Sequence, residues 1–236
     1  MTVDILFLAW NRLRFTHFCT AALLYNTDWS KVRSLWLYDD GSEDGTLELL
    51  KTLKAPCETT LVQTKLRSPV AIMNDFINRV KPEVFAKIDN DTVVPPLWLG
   101  ECTELMEANP SIDILGIEPM HEVVEGPVQR RCVSTKWIGG IGLMRGYVFK
   151  TLPVPNGRFG FTGWQKWTPK VVKAWIQPAL PVVLLNRVPV EPWCSLSEEY
   201  VQKGWQRPWE PYTEADKALW TSLERDLRPS TSEKGY

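Results

Sequence analysis

"VRSLWLYDDGSEDGTLELLKTLK" occupies residues 32–54 and changes texture twice. Its first part, ending at Tyr38, is an apolar run of the kind that forms a strand buried on both faces. A polar, glycine-bearing turn follows, and then Leu47, Leu50 and Leu53 recur at helical spacing. The unit is strand, turn, helix. Working outward, the same unit precedes it: residues 3–10, "VDILFLAW", are a buried strand, and "RFTHFCTAALLYN" sets Phe15, Phe18, Cys19, Ala22 and Leu23 along one helical face. It also follows, with "ETTLVQTK" a third strand, "PVAIMNDFINRV" a third helix and "EVFAKI" a fourth strand.

Strands that alternate with helices imply an α/β fold with a mostly parallel, Rossmann-like central sheet flanked by helices. In such sheets ligands gather at the carboxyl ends of the strands, and Asn11, Asp39, Asp40, Asp89 and Asp91 all fall at those ends. Beyond residue 95 the alternation lapses. "PLWLGECTELMEANP" reads as a helix, "SIDILGIEP" as a strand, and "KWIGGIGLMRGYVF" as a glycine-broken strand running into another element. Residues 151–211 are rich in proline and tryptophan with little periodicity, which predicts a loop-rich stretch. "YTEADKALWTSLERDLR" predicts a closing amphipathic helix, with Thr213 as N-cap and Ala215, Leu219, Leu223 and Leu227 in one stripe. The chain therefore divides into residues 1–125, 126–211 and 212–236, the first two being halves of one domain.

With 236 residues and 44% hydrophobic content the chain can bury one substantial core. Its opening apolar run is too short for a membrane span and lacks a basic start and a small-residue cleavage site, so the expectation is a soluble, cytoplasmic protein without integral membrane association. The cysteines (Cys19, Cys57, Cys102, Cys132, Cys194) are odd in number, scattered and without a CxxC pair, which argues against a disulfide framework and a structural zinc site.

The net charge of −1 conceals a segregation. From Gly126 to Val190 there are ten basic residues (Arg130, Arg131, Lys136, Arg145, Lys150, Arg158, Lys166, Lys170, Lys173, Arg187) and no Asp or Glu, so all 28 acidic residues lie elsewhere. Either the two parts neutralise one another internally, or the basic block faces an anion such as a sugar-nucleotide diphosphate, a lipid phosphate or a nucleic acid.

In "FAKIDNDTVV", residues 85–94, Asp89 and Asp91 stand two apart directly after a strand, a spacing that puts both on the same side of an extended chain. Two carboxylates so close repel unless a cation joins them, and hard oxygen ligands suit Mg²⁺ or Mn²⁺ bridging to substrate phosphates. The bland alternative is a turn, for which Asp and Asn are favoured. Asp40 favours the first reading: it ends an earlier strand beside an open turn containing Gly41, Ser42 and Gly45, where a carboxylate can accept a hydrogen bond from a base N–H or a ribose hydroxyl.

"LFLAWNR", "LWLYDDGSEDGTLELL", "SPVAIMNDFINR" and "FAKIDNDTVVPPLWL", in that order and spacing, resemble the nucleotide-binding half of the GT-A glycosyltransferases, family 2 above all. The resemblance covers roughly the first hundred residues. It implies that residues 1–125 bind a nucleotide sugar, a UDP-sugar first among the candidates, with Mn²⁺ or Mg²⁺ as cofactor. Asp40 matches the acidic residue at the base, Asn11 and Arg12 the first-strand loop bordering the nucleotide, and Asn74 a polar helix residue near the donor. Asp89 and Asp91 match the DxD motif, in which the last carboxylate usually binds the metal and the first approaches ribose or sugar. Lys87 is a further candidate, with pairing to a neighbouring carboxylate as its alternative role.

"WIGGIGLMR" resembles the segment lining the donor-sugar and acceptor pocket, where Gly139, Gly140 and Gly142 allow close backbone approach or mark a bulged strand. "GRFGFTGW" resembles the loop before the catalytic carboxylate of inverting members, but Gln165-Lys166 stand where Glu-Asp is expected. The remaining candidates for a general base are Glu118, His121, Glu122, Glu125 and Glu191. His121 is also a candidate third metal ligand, and Glu191 a late one. A retaining mechanism assisted by the departing phosphate needs no protein base, so the stereochemistry stays open. For the acceptor, the basic block with Trp137, Trp164, Trp167 and Trp175 suits a phosphate-bearing partner with flat groups, such as hydroxymethylated DNA of the phage type, whose target base must be flipped out. A lipid-linked or surface saccharide is the alternative. Two rival classes are a nucleotidyltransferase, against which the glycine-free "LAWNRLRF" counts, and an inactive nucleotide-sugar-binding protein.

Overall fold

The computed structural model describes residues 1–117, 132–135, 138, 141–150, 171–176 and 182–184. The chain divides into two compact units, Met1–Val183 and Leu184–Tyr236; the architecture below is that of the first. Its elements begin with strand β1 (Val3–Ala9), helix α1 (Leu13–Asn26), a short 3-10 turn (Trp29–Lys31), β2 (Val32–Asp39), α2 (Thr46–Thr52), β3 (Glu58–Gln63), α3 (Pro69–Val80) and β4 (Val84–Asp89). They continue with β5 (Thr92–Val93), α4 (Trp98–Ala108), β6 (Ile114–Gly116), β7 (Cys132–Thr135), β8 (Gly142–Arg145), the single turn α5 (Tyr147–Lys150) and β9 (Lys173–Ile176).

Eight of these strands form one sheet in the order β3-β2-β1-β4-β8-β6-β9-β7. β1 lies parallel to both β2 and β4, and β2 parallel to β3, as the alternating pattern predicts. β8 is the change of direction. It runs antiparallel to β4 on one side and to β6 on the other, while β9 is parallel to β6 and β7 antiparallel to β9. The parallel part is thus the first half of the chain and the mixed part the second.

Every residue of β1 is buried, so both of its faces are covered. Leu6 and Leu8 join Tyr38, Phe85 and Met144 beneath α3, which contributes Val70, Ile72, Met73, Phe76 and Ile77. Phe76 and Phe85 meet with ring centroids 5.4 Å apart, and Phe85 meets Phe149 of α5 at 5.5 Å. Ser68 caps α3 by accepting from the Ala71 N–H at 3.3 Å, and Pro69 stands where a missing N–H costs nothing. β8 enters between β4 and β6 because Gly142, at φ +151°, has no side chain: a Cβ there would lie 2.1 Å from the Leu115 carbonyl oxygen. At Gly142 the close neighbour is therefore the β6 backbone within the sheet; Gly139 and Gly140 lie outside the described residues.

Candidate nucleotide-sugar site

The register brings the sequence-separated carboxylates to one rim. Leu8 of β1 lies opposite Tyr38 on one side and Asp89 on the other, and Ala9 lies opposite Asp39. The chain ends β2 at Asp39 and β4 at Asp89, so Asp40 and Asp91 leave the sheet at its carboxyl edge on either side of β1. The Asp40 N–H donates to the Ala9 carbonyl at 2.9 Å, which closes that corner.

Between β1 and α1 the backbone is strained and pinned. Asn11 (φ 53°) and Arg12 (φ 65°) are consecutive non-glycine residues in the left-handed region, which costs of order 1–3 kcal/mol each and persists only where surroundings enforce it. Here they do. The Asn11 N–H donates to Ser42 Oγ at 2.7 Å, the Glu43 N–H donates to Asn11 Oδ1 at 2.8 Å, and Asn90 Nδ2 donates to the Asn11 carbonyl at 2.8 Å. Asp44 replaces the missing side-chain cap of α1, accepting from the Leu13 N–H at 2.8 Å while also accepting from the Thr46 N–H at the start of α2. One carboxylate thereby ties the starts of two helices.

The result is to aim Arg12 at the acidic pair. Arg12 Nη1 donates to Asp91 Oδ2 at 2.6 Å, and Lys87 Nζ donates to Asp89 Oδ1 at 2.6 Å. The two ion pairs differ in depth. The Lys87 side chain is 2% exposed and its partner Asp89 34%, whereas Arg12 and Asp91 are 14% and 10% exposed. The Asp91 carboxyl is pushed above the usual range by burial; Arg12 opposes the shift and the charge of Asp89 adds to it. The same surroundings push the thiol of buried Cys19 well up, through burial first and the charge of Asp91 second. The two carboxylates do not lie along one extended strand, as their spacing predicts. The chain turns at Asn90, whose side chain reaches back to Asn11 and to Thr16 Oγ1 at 2.9 Å, because α1 offers it buried partners there.

This donor set fits a hard divalent cation. Among the described residues each carboxylate bonds a basic side chain through one oxygen, and Asp89 Oδ2 and Asp91 Oδ1 are the atoms that could hold a metal. No cluster of three or more His, Cys, Asp or Glu that could hold an ion occurs among the described residues; an ion held by this pair would take further ligands from elsewhere, substrate oxygens and water being the usual ones.

The turn after β2 is equally specified. Asp39 Oδ2 accepts from the N–H groups of Gly41 and Ser42, both at 3.1 Å, and its Oδ1 is a buried acceptor with no hydrogen-bond partner among the described residues. Asp40, 6% exposed, accepts from Thr64 Oγ1 at 2.9 Å. Arg67 stacks over Trp10, its guanidinium carbon 4.7 Å from the ring centroid, and reaches the Gly41 carbonyl. Asn11, Arg12, Asp40, Lys87, Asp89 and Asp91 are therefore collected at one rim; Asn74 lies half-buried on α3. Asp44, Thr64, Arg67 and Asn90 support the site without having been singled out in sequence; Ser42 entered the reading only as part of the open turn, and Asp44 lies in the same polar stretch. His121, Glu191, Gly139 and Gly140 lie outside the described residues, as do Glu118, Glu122 and Glu125. Of the basic block, Arg145 and Lys173 turn inward. Arg145 donates to the carbonyls of Ile112 and Met106, and Lys173 is 5% exposed, its ammonium pKa lowered by burial.

The model of the family described as glycosyl transferase family 2 matches residues 4–159, about two thirds of the chain. The chain belongs to glycosyl transferase family 2. No curated protein matches the sequence significantly. Among solved structures, S. aureus TarS 1–349 is similar at TM-score 0.57 and 13% identity over 75% of this chain, and its complex with UDP-GlcNAc at 0.58 and 12% over 74%. The mannosyltransferase PcManGT from Pyrobaculum calidifontis, in complex with GDP-Man and Mn²⁺, is similar at 0.55 and 15% over 95% of this chain and 69% of its own length. The chain spans 58% of the TarS 1–349 structure. At these identities the likeness establishes a GT-A-like α/β fold for this family 2 chain.

Proposed function

We propose that this family 2 chain is a metal-dependent glycosyltransferase that moves a sugar from a nucleotide-diphosphate sugar to a hydroxyl acceptor. The observation that carries the reading is the shared rim: Asp40 and the Asp89/Asp91 pair flank the end of β1, where base and diphosphate ends of one nucleotide can be held together. Asp40 is the acceptor for the base or ribose. Asp91, with Asp89, holds Mn²⁺ or Mg²⁺, which when bound neutralises charge on the leaving diphosphate. Asn11 and Arg12 border the diphosphate, Lys87 holds Asp89 in place from within the sheet, and Asn74 lines the donor side. Glu191 and His121 are the candidates for acceptor deprotonation. UDP- and GDP-sugars are the donors to test first, since TarS is seen with UDP-GlcNAc and PcManGT with GDP-Man and Mn²⁺.

For the acceptor, the basic stretch 126–190 supports an anionic partner, with hydroxymethylated DNA as the leading candidate. Because Arg145 and Lys173 are spent internally, that role rests on the other basic residues of the block, Lys166 and Lys170 among them. The test is to incubate the protein with Mn²⁺ and a panel of nucleotide sugars, against hydroxymethylated DNA and simple saccharides, and to follow release of free nucleotide. Metal-dependent release from one donor supports the reading. Tight donor binding without turnover on any acceptor would make the chain a binding module, and absence of both would remove it from nucleotide-sugar chemistry.

A further inference from the structure

Two turns of the rim meet at Asn11, in the loop between β1 and α1. The Asn11 N–H donates to Ser42 Oγ and its Oδ1 accepts from the Glu43 N–H, both in the turn that follows Asp40. Its carbonyl accepts from Asn90 Nδ2 at 2.8 Å, in the turn between Asp89 and Asp91. The backbone at Asn11 is left-handed, φ 53°, a conformation that a residue other than glycine keeps only where its surroundings impose it.

Asn90 is chemically suited to impose it from the side of the acidic pair. It is 6% exposed, and its Nδ2 donates both to the Asn11 carbonyl and to Thr16 Oγ1 at 2.9 Å, so both amide hydrogens are used. Ionised aspartate, of the same shape, has no hydrogen to give, and serine has one. Thr16, fully buried in the first turn of α1, donates its own hydroxyl hydrogen to the Arg12 carbonyl at 3.1 Å. The acidic turn, the loop and the helix start are thereby joined at one node.

We propose that Asn90 is a positioning residue: through Asn11 it fixes the acidic pair relative to the turn that carries Asp40, so that the two ends of one nucleoside diphosphate meet groups already set at the right span. The inference rests on the reading of the rim as a nucleotide-sugar site, and it gives Asn90 no contact with donor or metal, since its amide faces inward to Asn11 and Thr16. Each end of the site is also held by bonds that do not involve Asn90: Thr64 on Asp40, Lys87 on Asp89 and Arg12 on Asp91. Loss of the Asn90 amide therefore leaves each end able to bind its own part of the ligand and loosens the distance between them. A ligand that spans both ends then binds only those molecules in which the loop is in place, and its affinity falls by that fraction.

The experiment compares three ligands on the full chain: UMP or GMP without metal, for the Asp40 end; Mn²⁺ alone, for the acidic pair; and UDP or GDP with Mn²⁺, which spans both. Variants are Asn90→Ala and Ser42→Ala, which cut the junction from its two sides. Affinities are read by calorimetry and by the electron paramagnetic resonance of free Mn²⁺, below the Tm of each variant. In both variants the monophosphate and Mn²⁺ alone should bind as in the wild type. The diphosphate with Mn²⁺ should bind about 10-fold more weakly, the effect of a loop left in place in about one molecule in ten. Ser42→Ala, made at a half-buried hydroxyl, keeps the proposal testable if Asn90→Ala does not fold. A folded Asn90→Ala with a lower Tm and wild-type affinity for the diphosphate would make Asn90 a structural residue only and overturn the proposal. Mn²⁺ alone weakened as much as the diphosphate would make Asn90 part of the metal site, which also overturns it. If the wild type binds neither diphosphate, the nucleotide-sugar reading falls and the junction falls with it.

Discussion

Replacing Asp91 by Asn keeps the shape of the side chain and removes its charge, and the structure allows the consequences for folding and for chemistry to be separated. In the folded chain Asp91 is 7% exposed, and burial already works against its ionised form. Its compensation is the 2.6 Å bond from Arg12. In Asp91→Asn the amide oxygen still accepts from Arg12, so one charge-assisted hydrogen bond becomes an ordinary one, a loss of about 1 kcal/mol. Relief of the buried carboxylate offsets part of it. The net effect on stability should stay within about 1 kcal/mol, a Tm change of no more than roughly 4 °C for a chain of this size. Activity should respond far more strongly. On the proposed role, loss of the anionic ligand would remove the metal anchor of the diphosphate, and removal of one preorganised electrostatic contact commonly costs about 100- to 1,000-fold in turnover. The assay is Mn²⁺-dependent release of nucleotide from the donor identified in the panel, run beside a thermal melt. A variant that melts like the wild type and turns over at the same rate would refute the role of Asp91 and, with it, the use of the acidic pair.

Asp40→Ala, which removes the acceptor now engaged by Thr64, should weaken nucleotide affinity by about 10- to 100-fold, the range for a hydrogen bond to a charged group; unchanged Mn²⁺ affinity without nucleotide, measured on the same sample, is the accompanying expectation, and unaltered nucleotide binding would sever Asp40 from the base. Gly142→Ala must place a methyl 2.1 Å from the Leu115 carbonyl oxygen at φ +151°, so β8 must shift; a loss of about 1–3 kcal/mol, lowering Tm by roughly 2–12 °C, is expected, and an unchanged melt would contradict the close approach of β8 to β6. Cys19 and Cys102 are fully buried with thiol pKa values raised by burial, whereas Cys57 is half-buried; in the native protein an aromatic disulfide reagent followed by peptide mapping should modify Cys57 alone of these three. Modification of Cys19 before unfolding would show that the rim opens to solvent.

The first half of the fold was legible because each element there satisfies local chemistry and tertiary need at once. α3 begins and ends at the residues its sequence marks, Pro69 and Val80, since Ser68 caps it and the apolar spacing matches the face it buries. β2 and β4 each run on to an aspartate, Asp39 and Asp89, that composition alone would leave to the following turn. β8 was visible only as a glycine-broken run. Its antiparallel insertion between β4 and β6 depends on what Gly142 meets across the sheet, which no sequence window contains. The carboxylates of the site were legible because charge at the ends of apolar runs is conspicuous. Their partners were not: Asn90, Thr64 and Asp44 are ordinary turn residues until β1, β2 and β4 are laid side by side, and the inward turn of Arg145 and Lys173 is a matter of packing that charge counting misses.

On the proposed function the rim gathers acidity where an anionic donor would bind, and the local charge compensation answers that apparent contradiction. Asp39, Asp40, Asp89 and Asp91 alone would repel a diphosphate. Within the sheet Lys87 neutralises Asp89, and the Gly41 and Ser42 N–H groups satisfy one oxygen of Asp39. Asp40 has the neutral Thr64 hydroxyl as its single side-chain partner among the described residues, and the proposed function assigns its carboxylate to hydrogen-bonding groups of the donor. Asp91 takes its counter-charge from Arg12, in the loop between β1 and α1 rather than in a strand. Counter-charge from a strand at Asp89 and from a loop at Asp91 together let one α/β scaffold hold these acidic groups side by side at a single rim.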